Sequence, residues 1–159
     1  MMITWVRGHF KNVHGTLKFD PADPVNSSVE VVINAKELWT GEPERDEHLR
    51  SADFLDVENH PTITFKGNEV ERIGGNKAKV TGDLTIRGVT RKVTLEVRYL
   101  GQWNTPFNDT RIGFVAKTRI NRHDFGVSWN NPMENGGVVV GSDVFITIDA
   151  EAILDTGTQ

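Results

Sequence analysis

The 159 residues suffice for one domain with its own core, and 37% hydrophobic with 25% charged residues is a composition typical of a soluble globular chain. A net charge of −4 with both signs interspersed gives no sign of the basic excess or stripe of a nucleic-acid binder, and the lack of cysteine excludes disulfides and thiolate chemistry. No apolar run approaches the roughly 18 residues of an integral membrane segment; near the C-terminus the longest is Val138–Val140.

The chain opens Met1-Met2-Ile3-Thr4-Trp5-Val6-Arg7-Gly8, without the basic start and roughly 7–15 apolar residues of a signal peptide. Its reading is therefore cytoplasmic, or periplasmic where a leader has been removed. Leu17 and Phe19 alternate with polar neighbours, the mark of a strand with one apolar face. Pro21-Ala22-Asp23-Pro24 ends that strand, and Val29, Val31, Ile33 and Ala35 repeat the period. The pattern then breaks. Residues 43–54 read as a short helix, with Pro43 in the first turn and acidic residues near the start. Arg45, Leu49 and Ala52 share a face of it, and Asp46 and Arg50 stand one turn apart, a pair worth about 0.2–0.5 kcal/mol.

Ile63 and Phe65 resume the alternation, and Gly74-Gly75-Asn76 predicts a hairpin into Ala78, Val80, Gly82, Leu84 and Ile86. Arg87-Gly88-Val89 is a tight turn. Val93, Leu95, Val97 and Tyr99 face one way, 104–109 is a loop, and Ile112, Phe114, Ala116, Thr118 and Ile120 form the next strand. Asn135-Gly136-Gly137 precedes the last one, Val144 to Ala152, whose polar face carries Thr147, Asp149 and Glu151. The organisation is one domain over 1–154 and a C-terminal tail over 155–159.

Strands that follow one another without intervening helices make an antiparallel sheet. Seven clear strands and one short helix leave an apolar face that must close on itself, as a barrel or a two-sheet sandwich. The interior of a barrel of about eight strands is just wide enough for side chains or one slim ligand. Gly82 and Ala116 leave room on the apolar face, although Gly82 also suits a bulge. Alternation alone leaves a filled sandwich and a hollow barrel equally open.

Several stretches carry a resemblance: Glu44-Arg45-Asp46-Glu47-His48-Leu49-Arg50-Ser51-Ala52-Asp53-Phe54, His60-Pro61-Thr62-Ile63-Thr64-Phe65, Gly82 to Arg91, and Ile120-Asn121-Arg122-His123-Asp124-Phe125-Gly126. In order and spacing the chain resembles, over nearly its whole length, the YceI-like family of polyisoprenoid-binding, lipocalin-like proteins. The resemblance implies an all-β fold, an eight-stranded antiparallel lipocalin-like barrel. It also implies that a long isoprenoid lipid, of polyprenyl phosphate or quinone type, lies in an elongated apolar pore. It implies no catalytic residue and no cofactor beyond that bound lipid or quinone. In one respect the chain departs from the pattern: a first family strand, ahead of the segment matching Met2–Val6, is missing. Its loss predicts bare edges on a long strand around Gly8–Asp20 and on the final strand 143–153. Such edges invite pairing with another chain, and a homodimer is one outcome.

The residues that would line the pore are Leu17, Phe19, Val31, Ile33, Leu49, Ile63, Phe65, Leu84, Ile86, Leu95, Val97, Phe114, Phe125, Trp129, Ile146 and Ile148. Each is equally at home in an ordinary core. Arg45, His48 and Arg50 are candidates for a ligand head group, since an arginine fork suits a phosphate; paired among themselves they would be structural. Trp39 and Trp103 could line a pore end, but each is read first as part of a satellite hydrophobic cluster beneath a loop. The histidines lack metal-ligand spacing, so no metal is expected. Three functions compete: a lipid-binding barrel that carries, stores or sequesters its ligand, a filled barrel that pairs through a bare edge, and an enzyme using Arg45, Asp46 and His48 for acid–base chemistry.

Overall fold

The computed structural model describes residues 5–131 and 140–153, apart from Asn12 and Pro21. Among these, nine strands form: β1 His9–Phe10, β2 Val13–Lys18, β3 Ser28–Asn34, β4 Leu38–Trp39, β5 Thr62–Gly74, β6 Lys77–Ile86, β7 Val89–Asn104, β8 Thr110–Asn121 and β9 Asp143–Ile153. A helix, α1, spans Pro43–Arg50, and single turns of 3-10 helix lie at Pro24–Asn26, Ala35–Glu37 and Arg122–Phe125. No helix among the described residues is long and apolar enough to cross a membrane.

Seven strands build one antiparallel sheet in the order β2-β3-β5-β6-β7-β8-β9, curled into a half-barrel, while β1 and β4 form a separate ribbon. Residues directly opposite in such a sheet share a face. The register therefore carries the alternation across the molecule: Leu17, Val29, Gly67, Gly82 and Val93 form one inward row, and Val97, Ala116 and Ile148 another. The curl brings Phe19, just past β2, to 5.4 Å from Phe114 on β8.

The hairpins form where the turn residues predict them. Ile86 faces Val89 across Arg87 and Gly88, whose φ angles of 50° and 73° are those of a primed turn that matches strand twist. Gly75 and Asn76 turn β5 into β6, with Gly74 opposite Lys77. A bulge between Gly67 and Glu69 decides the role of Gly82. A Cβ on Gly82 would fall 2.2 Å from the Lys66 carbonyl oxygen, so this glycine admits a neighbouring backbone rather than a ligand. Another bulge, between Tyr99 and Gly101, reverses the parity of β7. It puts Trp103 on the outer face, 43% exposed, with its ring over Gly113. Trp103 is therefore no pore lining.

Three boundaries differ from the sequence reading. The helix stops at Arg50 rather than residue 54 because Ser51 donates both its N–H and its hydroxyl to the His48 carbonyl. Leu55 and Val57 then fold back to bond the carbonyls of Leu49 and Arg50, burying Phe54 and Val57. The long strand around Gly8–Asp20 is broken into β1, which pairs with β4, and β2, which pairs with β3. The barrel does not close as eight strands: among the described residues the outer edges of β2 and β9 have no ladder partner. Pro21 and Asn135-Gly136-Gly137 lie outside the described residues.

Candidate functional site

The interior of the half-barrel has two unlike ends. At the end nearest α1, six of the predicted lining residues, Ile63, Phe65, Leu84, Ile86, Leu95 and Phe125, are buried with Ala35, Phe54, Val57, Val80, Ile120 and Val127 in one apolar cluster. Val31, Ile33, Leu49, Val97, Trp129 and Ile146 pack on it, half-buried. Farther along the strands, Leu17, Phe19, Phe114 and Ile148 are also half-buried but stand outside that cluster. There Phe19, Tyr99 and Phe114 form an aromatic trio with centroids 5.4 to 5.7 Å apart. The sheet thus brings all the strand-borne candidates to one face, packs one end solid and leaves the other partly open.

Arginines lash the packed end shut. Arg50 donates to the carbonyls of Lys36 and Leu38, at 2.9 and 2.5 Å. Arg87, in the β6–β7 turn, donates to Ala52 at 2.7 Å and Gly126 at 3.1 Å. Arg122 is 5% exposed and donates to Gly141, Val127 and Trp129 at 2.8 Å and to Val140 at 3.2 Å. Burial pushes its pKa below the ordinary value, yet an arginine remains charged. Sequence reasoning missed Arg87 and Arg122. The available signal was a lone arginine between Ile120 and Phe125, two residues with apolar periodicity.

The predicted head-group residues are engaged locally. Arg45 donates to the hydroxyl and the carbonyl of Thr40, at 2.9 and 3.0 Å. His48 lies 2.8 Å from the Asp53 carboxylate, and its ring meets Phe54 and Trp129 edge-on at 5.0 and 4.6 Å. The expected Asp46–Arg50 ion pair does not form as the local link. Asp46, 3% exposed, instead accepts from the backbone N–H and hydroxyl of Thr40. That hydroxyl bond holds the carboxyl below its ordinary pKa against the opposing pull of burial, with Arg50 and Arg45 adding at longer range. The cluster is a clasp between α1 and β4, and His48, Phe54 and Trp129 are a plug across the packed end. Trp39, on β4, is 51% exposed beside His9 and lies off the interior.

The family model for the YceI-like domain matches residues 1–152. The protein YceI of Escherichia coli O157:H7 is 42% identical over 124 residues, 78% of this chain and 64% of that protein. A UPF0312 protein of Ectopseudomonas mendocina is 39% identical over 125 residues, 79% of this chain and 65% of that one. The chain thus spans about 64% of the length of such curated relatives. Among solved structures, a YCEI protein of Campylobacter jejuni superposes with a TM-score of 0.83 at 28% identity, covering 98% of this chain and 88% of that one. BcnA of Burkholderia cenocepacia superposes at 0.80 with 27% identity, covering 91% and 86%. Sequence, register and architecture agree, and this chain belongs to the YceI-like domain family.

Proposed function

We propose that this chain binds a long apolar molecule of the isoprenoid lipid class, polyprenyl phosphate or quinone, along the inward face of its half-barrel, and that it acts as a carrier or store rather than an enzyme. The observation that supports this most is the contrast between the two ends. The solid end around Phe125 and Phe65 has no room to offer, whereas Leu17, Phe19, Phe114 and Ile148 keep part of their apolar surface available. Each CH₂ buried there contributes about 0.8 kcal/mol, so an isoprenoid chain of modest length binds by burial alone. Selectivity then comes from how far the trough runs before the packed end stops it.

Native mass spectrometry of the purified protein, followed by organic extraction, tests the reading. A stoichiometric prenyl lipid supports it. A protein that carries no lipid and takes up neither farnesol nor a short-chain quinone overturns it. Among the described residues β2 and β9 carry unpaired edges, which favour one other reading, a module that pairs with a second copy through strand addition. That alternative predicts a lipid-free dimer in the same spectrum.

A further inference from the structure

The ladder between β6 and β7 ends at Lys77 opposite Arg98. One step farther, the Tyr99 N–H donates to the Asn76 carbonyl at 2.8 Å, and the Asn76 side chain donates back to the Tyr99 carbonyl at 3.1 Å. From Leu100 to Asn104, β7 has only β8 beside it. The β7–β8 hairpin therefore projects past the β5–β6 hairpin, at the open end where Tyr99 and Phe114 meet Phe19. Its tip is a built turn. Thr105 donates its N–H to the Asp109 carbonyl at 2.9 Å, Asn108 takes a φ of 63°, and the Phe107 N–H donates to the Thr105 hydroxyl at 3.2 Å. That turn presents Phe107 to solvent at 83% exposure, the highest of any large apolar side chain among the described residues.

Phe107 is not alone. Leu100 and Trp103, farther back on the same hairpin, and Ile73, in the bulge near the end of β5, are exposed as well. Single exposed apolar residues need no explanation, whereas four on two neighbouring hairpins mark a contact surface. The charges beside them give the sign of the partner. Lys77 and Arg98 stand directly opposite each other, exposed, and such a like-charge pair repels unless an anion lies over it. Among the described residues neither has a carboxylate within ion-pair distance. The acids nearby are engaged or set apart: Arg111 holds Asp109 and Glu151, Glu71 and Glu96 flank Lys79, and Val115 separates Asp149 from Arg98.

We propose that this end of the molecule docks on the surface of an anionic lipid bilayer, with Phe107, Leu100 and Trp103 dipping into the interface and Lys77 and Arg98 drawn to its negative charge. Tryptophan settles at the headgroup level of a bilayer, and basic residues close to an anionic surface are attracted over about a Debye length. Apolar burial and that attraction together hold a protein on a bilayer reversibly, without a spanning segment. The shape selects a bilayer over a protein partner: the apolar groups sit on a projecting turn, which offers no groove to a peptide, and a fluid surface needs no complementary contour. The docking stands on these two hairpins. It rests on the lipid-binding reading only for its purpose, which is to set the mouth of the trough against the layer that holds a prenyl lipid.

Flotation of the full chain with vesicles of phosphatidylcholine, alone or mixed with phosphatidylglycerol, tests it, alongside uptake of farnesol from vesicle-free solution. The proteins compared are the wild type, Phe107→Ser, and a variant carrying Lys77→Gln and Arg98→Gln. Wild type is expected to float with the anionic vesicles at low salt and to partition less at high salt. Phe107→Ser should lower the partition about tenfold, and the charge variant should abolish the preference for phosphatidylglycerol, while both take up farnesol from solution as wild type does. Flotation without farnesol uptake leaves the docking surface standing and sinks the interior-lipid reading. Farnesol uptake without flotation overturns the docking proposal and spares that reading. The proposal also falls if Phe107→Ser floats as well as wild type, or if wild type ignores vesicles and forms a dimer that Phe107→Ser dissociates, which makes the patch a contact between copies. All three substituted side chains are exposed, and coincident thermal melts verify that folding is intact.

Discussion

Arg122 brings a positive charge into the protein interior and surrounds it with backbone carbonyls from two segments, 127–129 and 140–141. Hydrogen bonds to charged groups are worth about 1.5–3 kcal/mol each in net terms. Replacing Arg122 with methionine, similar in length but without donors, leaves those carbonyls unsatisfied. The expected loss is about 3 kcal/mol or more, read as a lower urea midpoint at unchanged slope. Asp46 makes a different kind of contribution. Its carboxyl pKa is lowered in the folded state, first of all by the Thr40 hydroxyl. The stabilisation is therefore complete above the ordinary carboxylate range near pH 4 and fades as pH falls through the lower folded value. Melting temperatures of wild type and Asp46→Asn should differ at neutral pH and converge in acid; a gap that persists at pH values well below the carboxylate range refutes the assignment.

At the level of elements, the two ends of the half-barrel should respond differently to the same change. Phe125→Ala removes a ring that is 1% exposed and leaves a cavity in the buried apolar cluster, at a cost of about 3–5 kcal/mol. Phe19→Ala removes a half-exposed ring from an aromatic trio, so denaturation should register a smaller loss while prenyl-lipid retention falls. Equal stability losses with unchanged lipid retention would argue against an open end. The alternation in Val93–Tyr99 and Ala78–Ile86 was enough to read the strands and their inward faces, and Gly75 and Gly88 marked two of the turns. What alternation could not show was the division into a packed and an open end. That depends on Phe54, Val57, Phe125 and Val127, which lie outside the regular strands and fold over one rim. The outward turn of Trp103 was equally hidden, because it follows from a bulge that the period-two pattern does not announce. The arginine lashings stayed illegible for a simpler reason: carbonyl acceptors are present at every residue and leave no trace in a sequence.

For the molecule as a whole, the fold superposes on that of the solved Campylobacter jejuni YCEI protein over almost all of this chain. The seam between β2 and β9 sits on the opposite side of the sheet order from β6, and Trp5 meets Phe145 of β9 edge-on at 5.3 Å beside it. An edge strand bonded on one side only is free to open first.

The order of the strands also sets an order in time. From β5 to β9 every strand bonds to its neighbour in the chain, so that stretch can assemble from nearby contacts, hairpin by hairpin. Within the seven-stranded sheet only β3 must find its partner, β5, across intervening elements, β4 and α1, while β1 reaches β4 across β2 and β3; loop-closure entropy has to be overcome before such pairings are rewarded. Folding should then begin at β5–β7 and finish with β2 and β3. Native-state hydrogen exchange reads the sequence of events in reverse: amides of β6, bonded on both sides, should outlast those of β2, and equal protection across the sheet would mean that the half-barrel opens and closes as a single unit.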